Sequence, residues 1–112
     1  GGYACMKKLL AMPQRPTAVF VTNYEMTIGA MIAVNEVGVR IPEDLSFIGF
    51  DKQQLFNVVY SNLSVITQPQ NAIGDSAAKI ILSAINEGEQ YVPQIVTLTA
   101  HLQEGKSVRQ LA

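Results

Sequence analysis

The feature that most constrains this chain is a pair of short apolar runs joined by a segment with helical periodicity. Residues 17–22 (Thr-Ala-Val-Phe-Val-Thr) form a β-branched run that is typical of a strand buried on both faces of a parallel sheet. Residues 23–37 follow with apolar side chains on one helical face, and Gly38 ends that helix. Residues 45–50 (Leu-Ser-Phe-Ile-Gly-Phe) form the second run. Strand, helix and strand within about 35 residues predict a βαβ unit with parallel strands and a right-handed crossover.

The segments around this unit predict more α/β structure. The strongest amphipathic pattern lies at 70–87, where one face is apolar and Gly88 ends the helix. Residues 94–99 alternate like a strand with one covered face. The other predicted elements are a helix at 3–12, a short helix at 51–57, a short strand at 64–67, and a last short strand followed by a frayed end within 101–112. Because the chain opens inside a helix and two strands with one crossover helix do not complete a doubly wound sheet, we expect it to be a piece of a longer protein.

Composition excludes several classes of function. The charge is nearly balanced, with 8 Lys and Arg against 9 Asp and Glu, so no basic stripe predicts nucleic-acid binding. No apolar stretch approaches the length of a membrane span, and no secretory signal opens the chain. Cys5 cannot form an internal disulfide and favours the cytoplasm, and with His101 it offers no metal-ligand spacing. No phosphate loop or nucleophile motif is present, so we expect neither an enzyme nor a bound cofactor.

Two polar residues follow the two strands of the predicted unit. Asn23 ends the first run and Asp51 ends the second. Ligands in open parallel sheets bind beyond the carboxyl ends of the strands, and an amide with a carboxylate can bind sugar hydroxyls there. Both residues also precede predicted helices, where Asn and Asp are favoured N-caps. Ligand binding and capping therefore both stay open from the pattern, and the two roles can coexist.

Three segments in the same order resemble the LacI/GalR family of bacterial transcription repressors. Residues 21–29 (Val-Thr-Asn-Tyr-Glu-Met-Thr-Ile-Gly) resemble the family's strand, Asn-Asp and Met-Ala-Leu-Gly. Residues 38–51 (Gly-Val-Arg-Ile-Pro-Glu-Asp-Leu-Ser-Phe-Ile-Gly-Phe-Asp) are similar to its Gly-x-x-Ile-Pro-x-Asp-Ile-Ser-Val-Ile-Gly-Phe-Asp stretch. Residues 63–69 (Leu-Ser-Val-Ile-Thr-Gln-Pro) resemble its Leu-Thr-Thr-Val-x-Gln-Pro crossover. The set is specific because order and spacing agree from about Tyr3 to Leu98.

The resemblance implies an α/β, periplasmic-binding-protein-like (type I) fold with two lobes around a cleft. Residues 1–69 would belong to the C-terminal lobe and 70–112 would supply the crossover helix and strands of the N-terminal lobe, while the DNA-binding head lies outside this chain. Asn23, Asp51 and, at the hinge side, Gln68 would contact the effector.

Two residues depart from the family pattern, and the helix at 23–37 has a second apolar face. Tyr24 stands where the family has Asp, and Lys52 where a second acidic residue often follows Asp51, so the identity of the sugar stays open. Tyr24 could stack on a sugar ring or pack on the surface. The outer apolar face could be covered by the same chain, whereas the resemblance favours a homodimer interface formed by Ile28, Met31, Ile32, Leu55 and Val59.

The resemblance implies a cytoplasmic, ligand-responsive regulator whose core binds a sugar or related small molecule and dimerises, and which meets operator DNA only through the head. One alternative is a periplasmic sugar-binding transport receptor of the same fold. A small α/β enzyme is a weaker alternative, since no catalytic base is visible beside Asp51.

Overall fold

The computed structural model describes residues 1–51, 60 and 62–112, and these fall into two compact units. The first contains Gly1–Thr67 and Leu102–Ala112, and the second contains Gln68–His101. In chain order, the elements are α1 (Gly2–Leu10), β1 (Ala18–Phe20), α2 (Tyr24–Val37), β2 (Ser46–Phe50), β3 (Ser64–Thr67), α3 (Gln70–Glu87), a 3-10 turn (Gly88–Gln90) and β4 (His101–Gln103).

The predicted βαβ unit is present. The sheet has the order β1-β2-β3-β4, and β1 pairs with β2 in parallel, with Ala18 opposite Ser46. β3 also runs parallel to β2, with Ile48 opposite Ser64. Helix α2 ends as predicted at Gly38, whose φ of 76° is the left-handed conformation that glycine adopts without cost. The α/β fold with a largely parallel sheet is therefore confirmed.

The core of the first unit lies between α1, α2 and the sheet. The side chain of Phe47 on β2 is fully buried, and a cluster of aliphatic side chains surrounds it. Helices α1 and α2 cross closely, because a Cβ on Gly29 would lie 2.8 Å from the backbone nitrogen of Tyr3. The buried apolar residues are Met6, Ala30, Met31, Ala33, Val34, Leu45, Phe47, Leu63 and Val65.

Strand β1 differs from its prediction. It was expected to be buried on both faces, yet Phe20 is 54% exposed and Ala18 is exposed as well. The reason is its position at the edge of the sheet, where β2 is its only neighbouring strand in the part of the chain that the structure describes. An apolar run identifies a strand, but it does not identify the neighbours that cover it.

The C-terminal segment also differs from its prediction. A frayed end is the wrong prediction for residues 105–109, because these residues form hydrogen bonds with the N-terminal ends of β2 and β3. We call residues 105–109 the C-terminal clasp. Ser107 is fully buried. Its Oγ donates to the carbonyl oxygen of Phe47 (2.5 Å) and accepts from the backbone N–H of Ser64 (2.7 Å). The backbone N–H of Phe47 donates a hydrogen bond to the carbonyl oxygen of Ser107 at 2.8 Å.

The second unit contains the predicted amphipathic helix and lacks the predicted strand. Helix α3 has the predicted bounds, and none of its residues is buried. The strand predicted at 94–99 is wrong, because this segment has no regular secondary structure and the side chain of Ile95 is 96% exposed. Within the second unit no strand edge is described that could accept its backbone hydrogen bonds, so the alternating pattern has nothing to pair with. Val96 and Leu98 instead line a groove along α3.

Candidate effector site

Asn23 is held at the start of α2 by its own cap. Its backbone is extended (φ −154°, ψ 166°), and its Oδ1 accepts a hydrogen bond from the N–H of Met26 at 2.8 Å. Its carbonyl oxygen accepts from the N–H of Thr27 (3.0 Å) and from Oγ1 of Thr27 (2.7 Å). The capping role that the pattern left open is therefore confirmed. Capping occupies only the oxygen of the amide, so it leaves the donor chemistry of the nitrogen compatible with a ligand.

Asp51 directly follows β2 and adopts an uncommon backbone conformation. Its φ of 63° lies in the left-handed region, where Asp is one of the few residue types other than glycine that is enriched. The backbone N–H of Asp51 donates to the carbonyl oxygen of Ile66 on β3 at 2.9 Å, which holds the turn against the sheet. Left-handed conformations of residues other than glycine concentrate at functional sites, because only the surrounding structure maintains them.

Asn23 and Asp51 meet at one side of the sheet, as predicted. They line a shallow pocket of about 300 Å³, together with Tyr24 and Glu25. Glu25 was not predicted, although its position in the first turn of α2 places a carboxylate beside the cap. That position is itself favourable, since an acidic side chain complements the positive end of the helix dipole. Two carboxylates and one amide therefore face the same space.

The two remaining predicted effector contacts have different surroundings. The side chain of Tyr24 is half-buried and packs against the apolar core while it lines the pocket. Tyr24 thus packs against the core rather than only on the surface, and its stacking on a ligand stays a prediction. Gln68 is the first residue of the second unit, and its contact with the effector also stays a prediction.

Only some of the residues predicted to form the dimer interface are exposed at the surface of the chain. Met31 is 2% exposed within the chain's own core, so for this residue the alternative of coverage by the same chain is correct. Ile28 is half-buried against that core, and Ile32 is 46% exposed. Leu55 and Val59, and also Lys52, lie outside the described residues.

The residues with other candidate chemistry are dispersed. Cys5 is an exposed free thiol on α1, and His101 is exposed at the start of β4. The described ranges contain no group of three or more His, Cys, Asp or Glu side chains that could hold a metal ion. Across the same ranges, no helix combines the length and apolar character that a membrane crossing requires.

Comparison with known proteins agrees with this fold. Residues 1–108 match the family of periplasmic binding protein-like domains. Over 108 residues, the chain is 37% identical to the HTH-type transcriptional repressor PurR of Escherichia coli, a match that covers 96% of this chain and 31% of the repressor. The chain thus spans about a third of the length of the curated relatives it matches.

Solved structures of LacI-family regulators have a similar fold. A LacI family transcriptional regulator from Enterococcus faecium with bound ribose has a TM-score of 0.83 and 30% identity, and the match covers 100% of this chain and 41% of that one. A LacI-family transcriptional regulatory protein from Corynebacterium glutamicum has a TM-score of 0.75 and 34% identity, over 96% of this chain and 41% of that one.

The chain therefore belongs to the family of periplasmic binding protein-like domains. Within that family it groups with the LacI-family regulators, and it corresponds to part of their effector-binding domain. The reported relatives are regulators of transcription rather than transport receptors or enzymes.

Proposed function

We propose that this chain is part of the effector-binding core of a bacterial transcription repressor, and that a sugar or related small molecule binds at Asn23 and Asp51. The observation that carries the proposal is the convergence of an amide and a carboxylate, from two neighbouring strand ends, on one pocket. Ribose bound to a regulator 30% identical to this chain supports a hydroxyl-rich ligand.

The chemistry of the pocket suits such a ligand. Carboxylate oxygens of Asp51 and Glu25 accept hydrogen bonds from hydroxyl groups, while the amide of Asn23 donates one. Hydrogen bonds to charged groups contribute about 1.5–3 kcal/mol each, so a few of them orient a small polar molecule. Tyr24 beside the pocket offers an aromatic face to a sugar ring.

Regulation by this site requires that the effector bind two conformations of the regulator unequally. In the proposed arrangement, residues 1–69 belong to one lobe and residues 70–112 contribute to the other, and the regulator's two conformations differ in how far its lobes close around the effector. Closure then changes the spacing of paired DNA-binding heads that lie outside this chain. The proposed place of action is the cytoplasm.

Substitution at Asp51 tests the effector site. In the full-length regulator, Asp51→Ala should weaken effector binding by about 1–3 kcal/mol, the scale of leaving buried polar partners unpaired. Calorimetry with an effector found by a thermal-shift screen of sugars measures this. Operator binding without effector should be unchanged, which is the internal control, because the site is remote from the head. Unaltered effector affinity in the variant would remove Asp51 from the site.

Dimerisation through α2 is the second part of the proposal. Ile32 exposes 46% of its surface although its neighbours Met31 and Ala33 on α2 are buried, and isoleucine side chains favour burial by about 1.5–3 kcal/mol. Ile32→Glu should shift the regulator from dimer to monomer in sedimentation experiments. Lys79→Glu on α3 is the control for a new acidic charge, and a dimer that tolerates Ile32→Glu would place the interface elsewhere.

A further inference from the structure

Thr27 is a polar side chain buried beneath the candidate site. Thr27 lies on α2, four residues after Asn23, and is fully buried. Its Oγ1 donates a hydrogen bond to the carbonyl oxygen of Asn23 at 2.7 Å. The same oxygen accepts from the backbone N–H of Thr27 at 3.0 Å. The backbone of Asn23 is therefore held twice by one residue. A hydroxyl bond to the carbonyl four residues earlier also satisfies a buried threonine locally, so its position matters for the argument.

The opposite side of Thr27 packs on β2. A Cβ on Gly49 would lie 3.1 Å from Cγ2 of Thr27, so the threonine methyl group occupies the space that a side chain at Gly49 would need. Gly49 lies on β2, two residues before Asp51, which directly follows that strand. One side chain thus hydrogen bonds to the backbone of Asn23 and lies against β2, the strand that leads to Asp51.

The cap also fixes the orientation of the side-chain amide of Asn23. The N–H of Met26 can only donate, so the amide must present Oδ1 to it, at 2.8 Å. The two N–H groups on Nδ2 are then the part of the amide available for recognition. An effector atom that approaches these N–H groups is a hydrogen-bond acceptor, whereas one that approaches Asp51 is best a donor.

We propose that Thr27 is a positioning residue that holds Asn23 as a hydrogen-bond donor in the pocket it shares with Asp51, so that the effector places an acceptor atom against Asn23. This inference rests on the proposed function for the identity of the site.

The test uses three variants of the full-length regulator. Thr27→Val keeps the branched shape and removes the hydroxyl, Thr27→Ser keeps the hydroxyl and removes the methyl group, and Asn23→Asp keeps the capping oxygen and removes the amide donors. Labelling asparagine with ¹⁵N reports the side-chain amide signals, and the signal pair missing from Asn23→Asp identifies Asn23. Thermal melting shows that each variant folds.

We expect Thr27→Val to melt close to the wild type, because valine suits a buried site, and yet to move and broaden the Asn23 amide signals. Thr27→Ser should restore those signals. With ribose as the probe, Thr27→Val should raise the dissociation constant about three- to tenfold, the range of one hydrogen bond, and Asn23→Asp should raise it more. Thr27→Ser should stay within about twofold of the wild type.

The outcomes separate the two proposals. If Thr27→Val leaves the Asn23 signals and the ribose affinity unchanged, the positioning role is overturned. If Asn23→Asp binds ribose as well as the wild type, the donor role of Asn23 is overturned. Asn23 signals that respond to Thr27→Val but not to ribose support the positioning role and count against ribose as the effector.

Discussion

The C-terminal clasp makes the stability of the first unit depend on one buried hydroxyl group. Ser107→Ala removes the acceptor of the Ser64 N–H and the donor to the carbonyl oxygen of Phe47, both of which are in a buried site. A buried N–H that loses its partner costs about 1–3 kcal/mol, and the lost bond to the carbonyl adds about 0.5–1.5 kcal/mol. We therefore expect the free energy of unfolding to fall by about 1.5–4.5 kcal/mol, a large share of the 5–15 kcal/mol typical of a domain.

Urea unfolding followed by far-ultraviolet circular dichroism measures this effect. With a urea slope of about 2 kcal/mol per molar, the midpoint should fall by about 1–2 M, while the slope stays unchanged. Ser83→Ala on α3 is the matched control, because the same atom is removed from a helix with no buried residues. A midpoint change for Ser107→Ala no larger than that of Ser83→Ala would show that residues 105–109 are not bound to the strands in solution, which would refute the reasoning.

Three further predictions concern packing, charge and DNA. Gly49→Ala should destabilise the first unit by about 1–3 kcal/mol in the same urea assay, because the new Cβ overpacks against Thr27; an unchanged midpoint would contradict this. Hydrogen bonds from Arg40 lower the pKa of Asp44 to about 2, so the carboxylate should stay ionised, and the pair intact, until the pH falls towards that value. An NMR titration checks this, and Arg40→Gln should return the pKa towards the ordinary aspartate range. The chain alone, with a net charge of −1, should give no salt-dependent gel shift with DNA, since phosphate neutralisation supplies most non-specific affinity.

Local sequence patterns predicted the βαβ unit because its boundaries depend on local chemistry. The run 17–22 gave β1, Gly38 ended α2 in the left-handed conformation, and the run 45–50 gave β2. Parallel strands place their carboxyl ends together, so the sequence pattern alone predicts that Asn23 and Asp51 lie at one pocket. Glu25 was missed because an acidic residue in a first helical turn is usually a surface feature.

Long-range partners were not predictable from local patterns. The alternation at 94–99 is typical of a strand, but a strand forms only where another edge accepts its hydrogen bonds. Ser107 lies in a polar segment, and nothing in the neighbouring residues shows that its hydroxyl group meets Phe47, which is 60 positions earlier in the chain. Met31 was assigned to an outer face because helical periodicity does not show that the core encloses it.

The central claim is that Asn23 and Asp51 together bind the effector of a transcription regulator. The most direct measurement is a crystal structure of the full-length regulator with the effector that the thermal-shift screen identifies. We expect an effector acceptor atom within hydrogen-bonding distance of Nδ2 of Asn23, and an effector hydroxyl group within the same distance of the Asp51 carboxylate. An effector bound elsewhere, with both side chains facing only water, would contradict it.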